Sequence, residues 1–370
     1  MRIRLLIIGS LLGVLVLTTG ALAGSGSDWP SFRASPLMTG VAHSPLAAQP
    51  RLLWTYETGS QVDSTAAIVG GSVYVGTKTG ALLALDLVTG KLRWKYRTGG
   101  GGITAAPCVV GDTIYMGDED GVFHAVNTVT GKAAWTFRTG DKIISSATPA
   151  TGVVLFGSYD HYLYCLRAGT GALQWKYETD AQVHCSPCVT GSSVIIAGCD
   201  GRVRAIDVAT GKGRVSALVD SNFAAAPAYA GGCVYLGALN GLYMAVRLSD
   251  GEVLWKMQET RDGGACYASA AVWGDAVFFA SRSRTLYRTN RLTGGTDWIF
   301  TTRGGIDSSP VIAGANLYFG CSDGNIYGVR ISDGAEVWRY TAGAEITASP
   351  AIGQQRMVLG ALDGAIYCFG

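Results

Sequence analysis

The chain has 370 residues, 48% of them hydrophobic and only 15% charged, with 52 glycines and a formal net charge of +2. That balance excludes a charge-rich disordered chain and suits an all-β fold with many turns. Arg2 and Arg4 fall in an N-terminal stretch that reads as removable, so the remainder is near neutrality (2 − 2 = 0). A neutral surface without a basic run argues against nucleic acid or an acidic membrane as partner.

In chain order the first element is a secretory signal. A basic start at Arg2 and Arg4 precedes an apolar run over residues 5–17, and Ala21-Leu22-Ala23 offers a small-residue cleavage site. Residues 1–23 are therefore expected to be a signal peptide and residues 24–50 a leader. The alternative, an uncleaved anchor, has a short apolar run for a span. No cysteine precedes Cys108, so none could carry a lipid. The expected location is the periplasm or the cell exterior, with no stable membrane insertion after cleavage.

Residues 51–370 repeat. Trp54, Trp94, Trp135, Trp175, Val215, Trp255, Trp298 and Trp338 follow one another at steps of 40, 41, 40, 40, 40, 43 and 40. A period in this range indicates a four-stranded propeller blade. Over residues 101–139 the pattern predicts strands at 103–110, 113–117, 122–127 and 133–138. Asp120-Gly121 makes the tight hairpin and Thr130-Gly131-Lys132 the next turn. The final repeat supplies three strands, and residues 51–58 form a fourth-strand motif without a blade. Pairing the two closes the ring and removes open sheet edges. The expected fold is all-β: an eight-bladed β-propeller of four-stranded antiparallel blades, the last closed by the N-terminal strand. Seven blades is the competitor, should the divergent sixth repeat fail to form one. The nine cysteines are odd in number and mostly sit where other repeats carry Ala, Ser or Val, which reads as small buried side chains. A disulfide among Cys165, Cys185, Cys188 and Cys199 stays open as an alternative.

The segment Ala84-Leu85-Asp86-Leu87-Val88-Thr89-Gly90-Lys91-Leu92-Arg93-Trp94 resembles the A-x-D-x-x-T-G-K-x-x-W motif of the pyrroloquinoline-quinone (PQQ) repeat family. Residues 125–135 and 205–215 carry variants of it, with Asn127 for the Asp and Val215 for the Trp, and Asp28-Trp29-Pro30-Ser31-Phe32-Arg33 looks like the leader of exported members. The resemblance implies that Trp54, Trp94, Trp135, Trp175, Trp255, Trp298 and Trp338 cap turns of neighbouring blades. It implies three possible roles. Quinoprotein alcohol dehydrogenases hold PQQ and Ca²⁺ with an adjacent Cys pair and a Trp platform, and this chain has no adjacent Cys pair. BamB-like propellers assist outer-membrane β-barrel assembly as lipoproteins. A third group comprises exported binding propellers.

Function should lie where the repeats differ. With the first strands registered on Pro107 and its equivalents, the fourth position before it is apolar throughout: Val62, Ile103, Ile143, Val183, Phe223, Cys266, Ile306 and Ile346. The third position before it varies: Asp63, Thr104, Ile144, His184, Ala224, Tyr267, Asp307 and Thr347. So does the fifth, with Gln61, Gly102, Lys142, Gln182, Asn222, Ala265, Gly305 and Glu345. Strand alternation puts these last two sets on one face, at one mouth of the channel. Asp63, Lys142, Gln182, His184, Asn222, Tyr267, Asp307 and Glu345 are the candidate ligand-binding residues. Their donors and acceptors suit a peptide, sugar or small polar molecule.

Repeats three and six depart most. Tyr159, His161, Tyr162, Arg282 and Arg284 occupy their hairpins, and Arg261-Asp262-Gly263-Gly264 lengthens a loop, giving candidate partner contacts on the same face. His184 with Cys188 is too small a set for a metal. Asp118-Glu119-Asp120-Gly121 reads as a turn and not a calcium loop. No catalytic set is recognisable. The expected function is a non-catalytic envelope binding protein, a monomer or part of a complex, that takes a protein, peptide or envelope component. No cofactor is expected; PQQ with calcium and a dehydrogenase activity form the alternative.

Overall fold

A computed structural model describes residues 26–219, 221–259 and 264–370. The signal-peptide reading and Arg261-Asp262-Gly263 lie outside the described residues. Among these, the strands form eight four-stranded antiparallel sheets and no helix is present. Blade 1 runs outward from Ala67–Val69 through Ser72–Gly76 and Ala81–Asp86 to Leu92–Arg97. Blades 2 to 7 repeat that order. Blade 8 joins Ala351–Gly353, Arg356–Gly360 and Ala365–Phe369 to Leu52–Glu57. Leu52 lies opposite Phe369 and Glu57 opposite Ala365. Beyond them, Arg51 and Gly370 exchange backbone hydrogen bonds of 3.0 and 3.1 Å. The ring is closed by its own two ends. The sixth repeat does form a blade, from Ala271–Trp273 to Thr296–Thr301, so the seven-bladed alternative falls.

In blade 2 the three outer strands, Thr113–Gly117, Val122–Asn127 and Ala133–Arg138, occupy the expected positions. The innermost is only Cys108–Val110, shorter than the 103–110 expected. Residues 103–107 border the axis, and the N–H groups of Ile103 and Ala106 are drawn to other blades. Ile103 donates to the Thr77 carbonyl (2.9 Å) and Ala106 to Ser146 Oγ (2.9 Å).

Two belts lock the blades together. In the outer belt, the seven tryptophans donate their indole N–H to a turn carbonyl of the following blade at 2.8–3.1 Å, for example Trp135 to Ala168 and Trp175 to Val208. In six of the seven a turn glycine lies against the ring: a Cβ on Gly171 would stand 2.5 Å from Trp135 Cε3. In the inner belt the apolar set is fully buried, from Val62 to Ile346. Ile143 lies so close to Gly117 of the preceding blade that a Cβ there would come within 2.1 Å of it. Side-chain volume on one blade and its absence on the next thus set the spacing.

All nine cysteines are free thiols, seven of them buried. Cys185 packs between blades 3 and 4 and Cys188 between blades 4 and 5, so the possible disulfide there does not form. Cys188 is also turned away from His184, which faces the axis.

The leader is part of the fold. It runs across one mouth of the channel and supplies carbonyls to the free inner edges of the blades. Trp29, Pro30, Pro36, Leu37, Thr39 and Gly40 accept from Ile68, Val109, Val189, Tyr229, Val272 and Ile312, at 2.7–3.0 Å. The equivalent position in blade 3 is Pro149, which has no N–H to satisfy. Trp29 and Arg33 are fully buried beneath this strap.

Candidate functional site: a blind polar funnel on the axis

Closing one mouth leaves a funnel of about 530 Å³ open at the other. Its walls are built in tiers. The middle tier holds all eight residues of the third position: Asp63, Thr104, Ile144, His184, Ala224, Tyr267, Asp307 and Thr347. The lower tier, two residues further along the same strand face, is Thr65, Ala106, Ser146, Ser186, Ala226, Ser269, Ser309 and Ser349, and Phe32 of the leader is the floor. The upper tier comes from hairpins, with Lys78, Glu119 and Arg282 lining it and Tyr159 behind.

Of the fifth-position candidates only Lys142 reaches the funnel. Glu345 lines a side recess with Arg282 and Asp307, while Gln182 and Asn222 do not line the funnel. The reason is in the backbone. These residues accept the hairpin N–H of their own blade, as Gln182 does from Cys199 and Asn222 from Leu239, which holds them at the outer rim.

One wall gathers residues that sequence reasoning had assigned to separate groups. Lys142 Nζ lies 4.3 Å from the Tyr159 ring centroid, and the Tyr159 hydroxyl bonds His184 Nδ1 at 2.7 Å. His184 and Tyr267 rings follow at 6.5 Å, and Arg282 covers Tyr267 at 4.1 Å. Arg282 then donates two hydrogen bonds to Asp307 through Nε and Nη2, both at 2.8 Å. Burial, with Lys142 next in weight, lowers the His184 pKa to about 4. Burial also pushes Tyr159 up to about 12. Both are therefore neutral at pH 7.

Across the funnel, Asp63 accepts from Thr347 Oγ1 (2.9 Å) and faces Lys78 at 3.9 Å, while Lys78 binds Glu119 at 2.6 Å. The funnel carboxylates are thus already partnered. Asp118 behaves as a turn residue: its Oδ1 accepts from the Asp120 and Val122 N–H groups and its Oδ2 faces the buried His124 at 2.9 Å.

The remaining loop candidates have backbone roles. His161 (φ 74°) and Arg284 (φ 68°) hold the left-handed position that glycine takes in other hairpins, at a cost of roughly 1 kcal/mol each. Their carbonyls accept from Thr179 and Thr302, as Gly121 does from Thr139. Tyr162 lies under Lys176 at 3.8 Å, outside the funnel. Sequence reasoning missed the hydroxyl tier, Lys78, Glu119 and the Phe32 floor. The hydroxyl tier was accessible by continuing the same alternation two residues towards Pro107. The other three depend on hairpin and leader placement.

No curated relative matches the chain by sequence. BamB from Moraxella catarrhalis superposes with a TM-score of 0.75 at 17% identity, covering 86% of this chain and 99% of that one. Quinohemoprotein alcohol dehydrogenase from Comamonas testosteroni gives 0.79 at 13%, covering 93% and 80%. The computationally designed Ika8 protein gives 0.76 at 18%, covering 86% and 99%. An assembly factor, an oxidoreductase and a designed protein match equally well, so these likenesses carry the fold alone. The family profile described as outer membrane protein assembly factor BamB matches residues 42–255 and 141–340. With a match across most of its length, this chain belongs to that PQQ-repeat propeller family.

Proposed function

We propose that the protein is an exported, non-catalytic binding protein of the cell envelope that receives a protein or peptide partner at the open mouth of its funnel. The observation that carries this reading is the continuous wall from Lys142 through Tyr159, His184, Tyr267 and Arg282 to Asp307. Tyrosine and arginine side chains held rigid by stacking lose little entropy on contact, which favours them as recognition groups. The hairpins carrying Tyr159 and Arg282 also contain the left-handed His161 and Arg284. Strain of this kind concentrates at functional loops.

The lining does not fit PQQ with calcium. Among the described residues, no tryptophan and no adjacent cysteine pair lines the funnel. Asp63, Glu119 and Asp307 are engaged by Thr347, Lys78 and Arg282, whereas Ca²⁺ takes six to eight oxygen ligands. The assembly role named for BamB is one form of the proposed activity.

The test uses purified mature protein. Titration with PQQ and Ca²⁺ is expected to give no saturable heat, and saturable binding at one site would replace this reading with the dehydrogenase alternative. Capture from envelope extracts should retain a partner that a Tyr267→Ala/Arg282→Ala variant, shown to remain folded by its cooperative melting, loses. A partner set identical for both proteins would remove the open mouth as the binding surface.

A further inference from the structure

The lower tier of the funnel holds hydrogen-bond donors without acceptors. Ala106, Ser146, Ala226, Ser269, Ser309 and Ser349 donate their N–H to the hydroxyl of the next blade: Ser146, Ser186, Ser269, Ser309, Ser349 and Thr65, at 2.9–3.2 Å. Each hydroxyl therefore uses an acceptor lone pair to seal the ring and keeps its own proton. All six residues are at most 7% exposed, all line the funnel, and none of the six protons has an acceptor among the described residues. Where alanine interrupts the ring, at 106 and 226, the N–H groups of Thr65 and Ser186 have no hydroxyl to meet.

Positive charge stands on both sides of this tier. Beneath it, Arg33 is fully buried next to the floor residue Phe32. Its Nη2 donates to the carbonyl of Ala270, the residue after Ser269, while Nε and Nη1 have no partner. No carboxylate pairs with Arg33 among the described residues, and burial alone lowers its pKa to about 9. A buried cation without a counter-charge is costly, and an anion nearby relieves that cost. Above the tier, Lys142 rests on Tyr159, and no carboxylate pairs with it among the described residues. The neutral His184 ring, bonded through Nδ1 to the Tyr159 hydroxyl at 2.7 Å, adds a polar group to the wall.

We infer that the base of the funnel binds a carboxylate group. The geometry narrows the source. Because the strap closes the far mouth, nothing can thread through, and only a small molecule or the end of a chain reaches the hydroxyl tier. A ring of donors over a buried cation selects a C-terminal carboxylate against an N-terminal ammonium. Resting on the proposed function, this makes the recognised element the C-terminus of the peptide or protein partner, with its last side chains against Tyr267 and His184.

The experiment compares a pool of N-acetylated random pentapeptides as free acids with the same pool as C-terminal amides, and with glutarate as a small dicarboxylate. Binding is followed by calorimetry and by the ring resonances of His184. Free acids should bind at least about tenfold more tightly than amides, the scale of one charge-assisted contact. Lys142→Gln, a rim change outside the packed core, should lower free-acid affinity by a similar factor, and added salt should weaken binding. Glutarate binding as tightly as the peptides would keep the carboxylate site and assign it to a small acid. Equal binding of acids and amides, or no response to either pool at about 5 mM, would overturn the inference. Failure here with a partner still captured at the open mouth would leave the proposed function standing.

Discussion

The outer and inner belts treat the same eightfold repeat in opposite ways. At the outer belt seven of eight junctions use one device, an indole with its N–H on a turn carbonyl, and in six of them the ring lies on a turn glycine. On the axis, the middle funnel tier holds two aspartates, two threonines and four residues that occur once each. Repetition marks the places where geometry alone is required. Variation marks the places where each blade presents different chemistry to a shared space. The fourth junction departs from the rule, since Val215 stands where the others have Trp.

The largest test of the outer belt is Trp338→Ala. This indole, only 9% exposed, donates to the Pro50 carbonyl and so reaches the split turn where the chain's two ends meet. It also packs against Phe369 with ring centroids 5.4 Å apart. Its loss should cost about 3–5 kcal/mol, as for other buried aromatic truncations, read as a lower denaturant midpoint. A shift below about 1 kcal/mol would show that strand pairing alone closes the ring.

The inner wall should respond to pH. His184 titrates at about 4 in the fold, depressed by burial first and by Lys142 second, against about 6.5 in an unfolded chain. As pH falls, the unfolded chain takes up this proton first. The contribution of the neutral ring is therefore complete above about 6.5 and is lost as pH falls through about 4. On the order of 2 kcal/mol is at stake once the water of the funnel is allowed for. Melting of the wild type should fall more steeply over that window than melting of His184→Gln. Parallel curves would mean that the ring gains a counter-charge when it protonates.

The fold was readable because its determinants are local and repeated. The Trp spacing, the Thr-Gly turns and the orphan fourth strand at residues 51–58 each state a geometry without reference to distant residues. The middle tier was readable for the same reason, since period-two alternation from Pro107 assigns all eight of its members. The fifth position misled because its backbone, not its side chain, is the conserved feature: its carbonyl binds a hairpin N–H, and only Lys142 is long enough to turn inward. The strap was not readable. Nothing local in Phe32-Arg33 says that it lies under the axis, a placement set by carbonyls meeting blade edges tens to hundreds of residues away.

Glycine substitutions separate ordinary junctions from the exceptional one. Gly171 and Gly251 share a left-handed backbone, φ 71° and 77°. An added Cβ at Gly171 would overlap Trp135 Cε3 at 2.5 Å, whereas at Gly251 it would meet Ala217 Cβ and Val215 Cγ1 at 3.2 Å. Both alanine variants bear about 1 kcal/mol of backbone strain. Gly171→Ala should cost about 1–2 kcal/mol more, because a rigid indole cannot yield. Equal losses would assign the whole effect to the backbone and none to the stacked ring.

The smallest effect should also be a gain. At the Val215 junction a surface groove of about 690 Å³ opens between blades 4 and 5, lined by Arg214, Val215, Cys233 and Leu248. The intact junctions to either side indicate what would fill it. Trp175 reaches a carbonyl 33 residues ahead, at Val208, and the same step from 215 arrives at Leu248. Val215→Trp should place an indole on Gly251 and its N–H on that carbonyl, raising stability by about 1 kcal/mol. It should also protect Cys233, half-buried in the groove wall, from a thiol-alkylating reagent. A stabilised protein with Cys233 still reactive would mean that the ring lies outside the groove. Loss of stability would show that the backbone around Val215 has adapted to the smaller side chain, so that this junction is a distinct structure and not a vacancy in the common one.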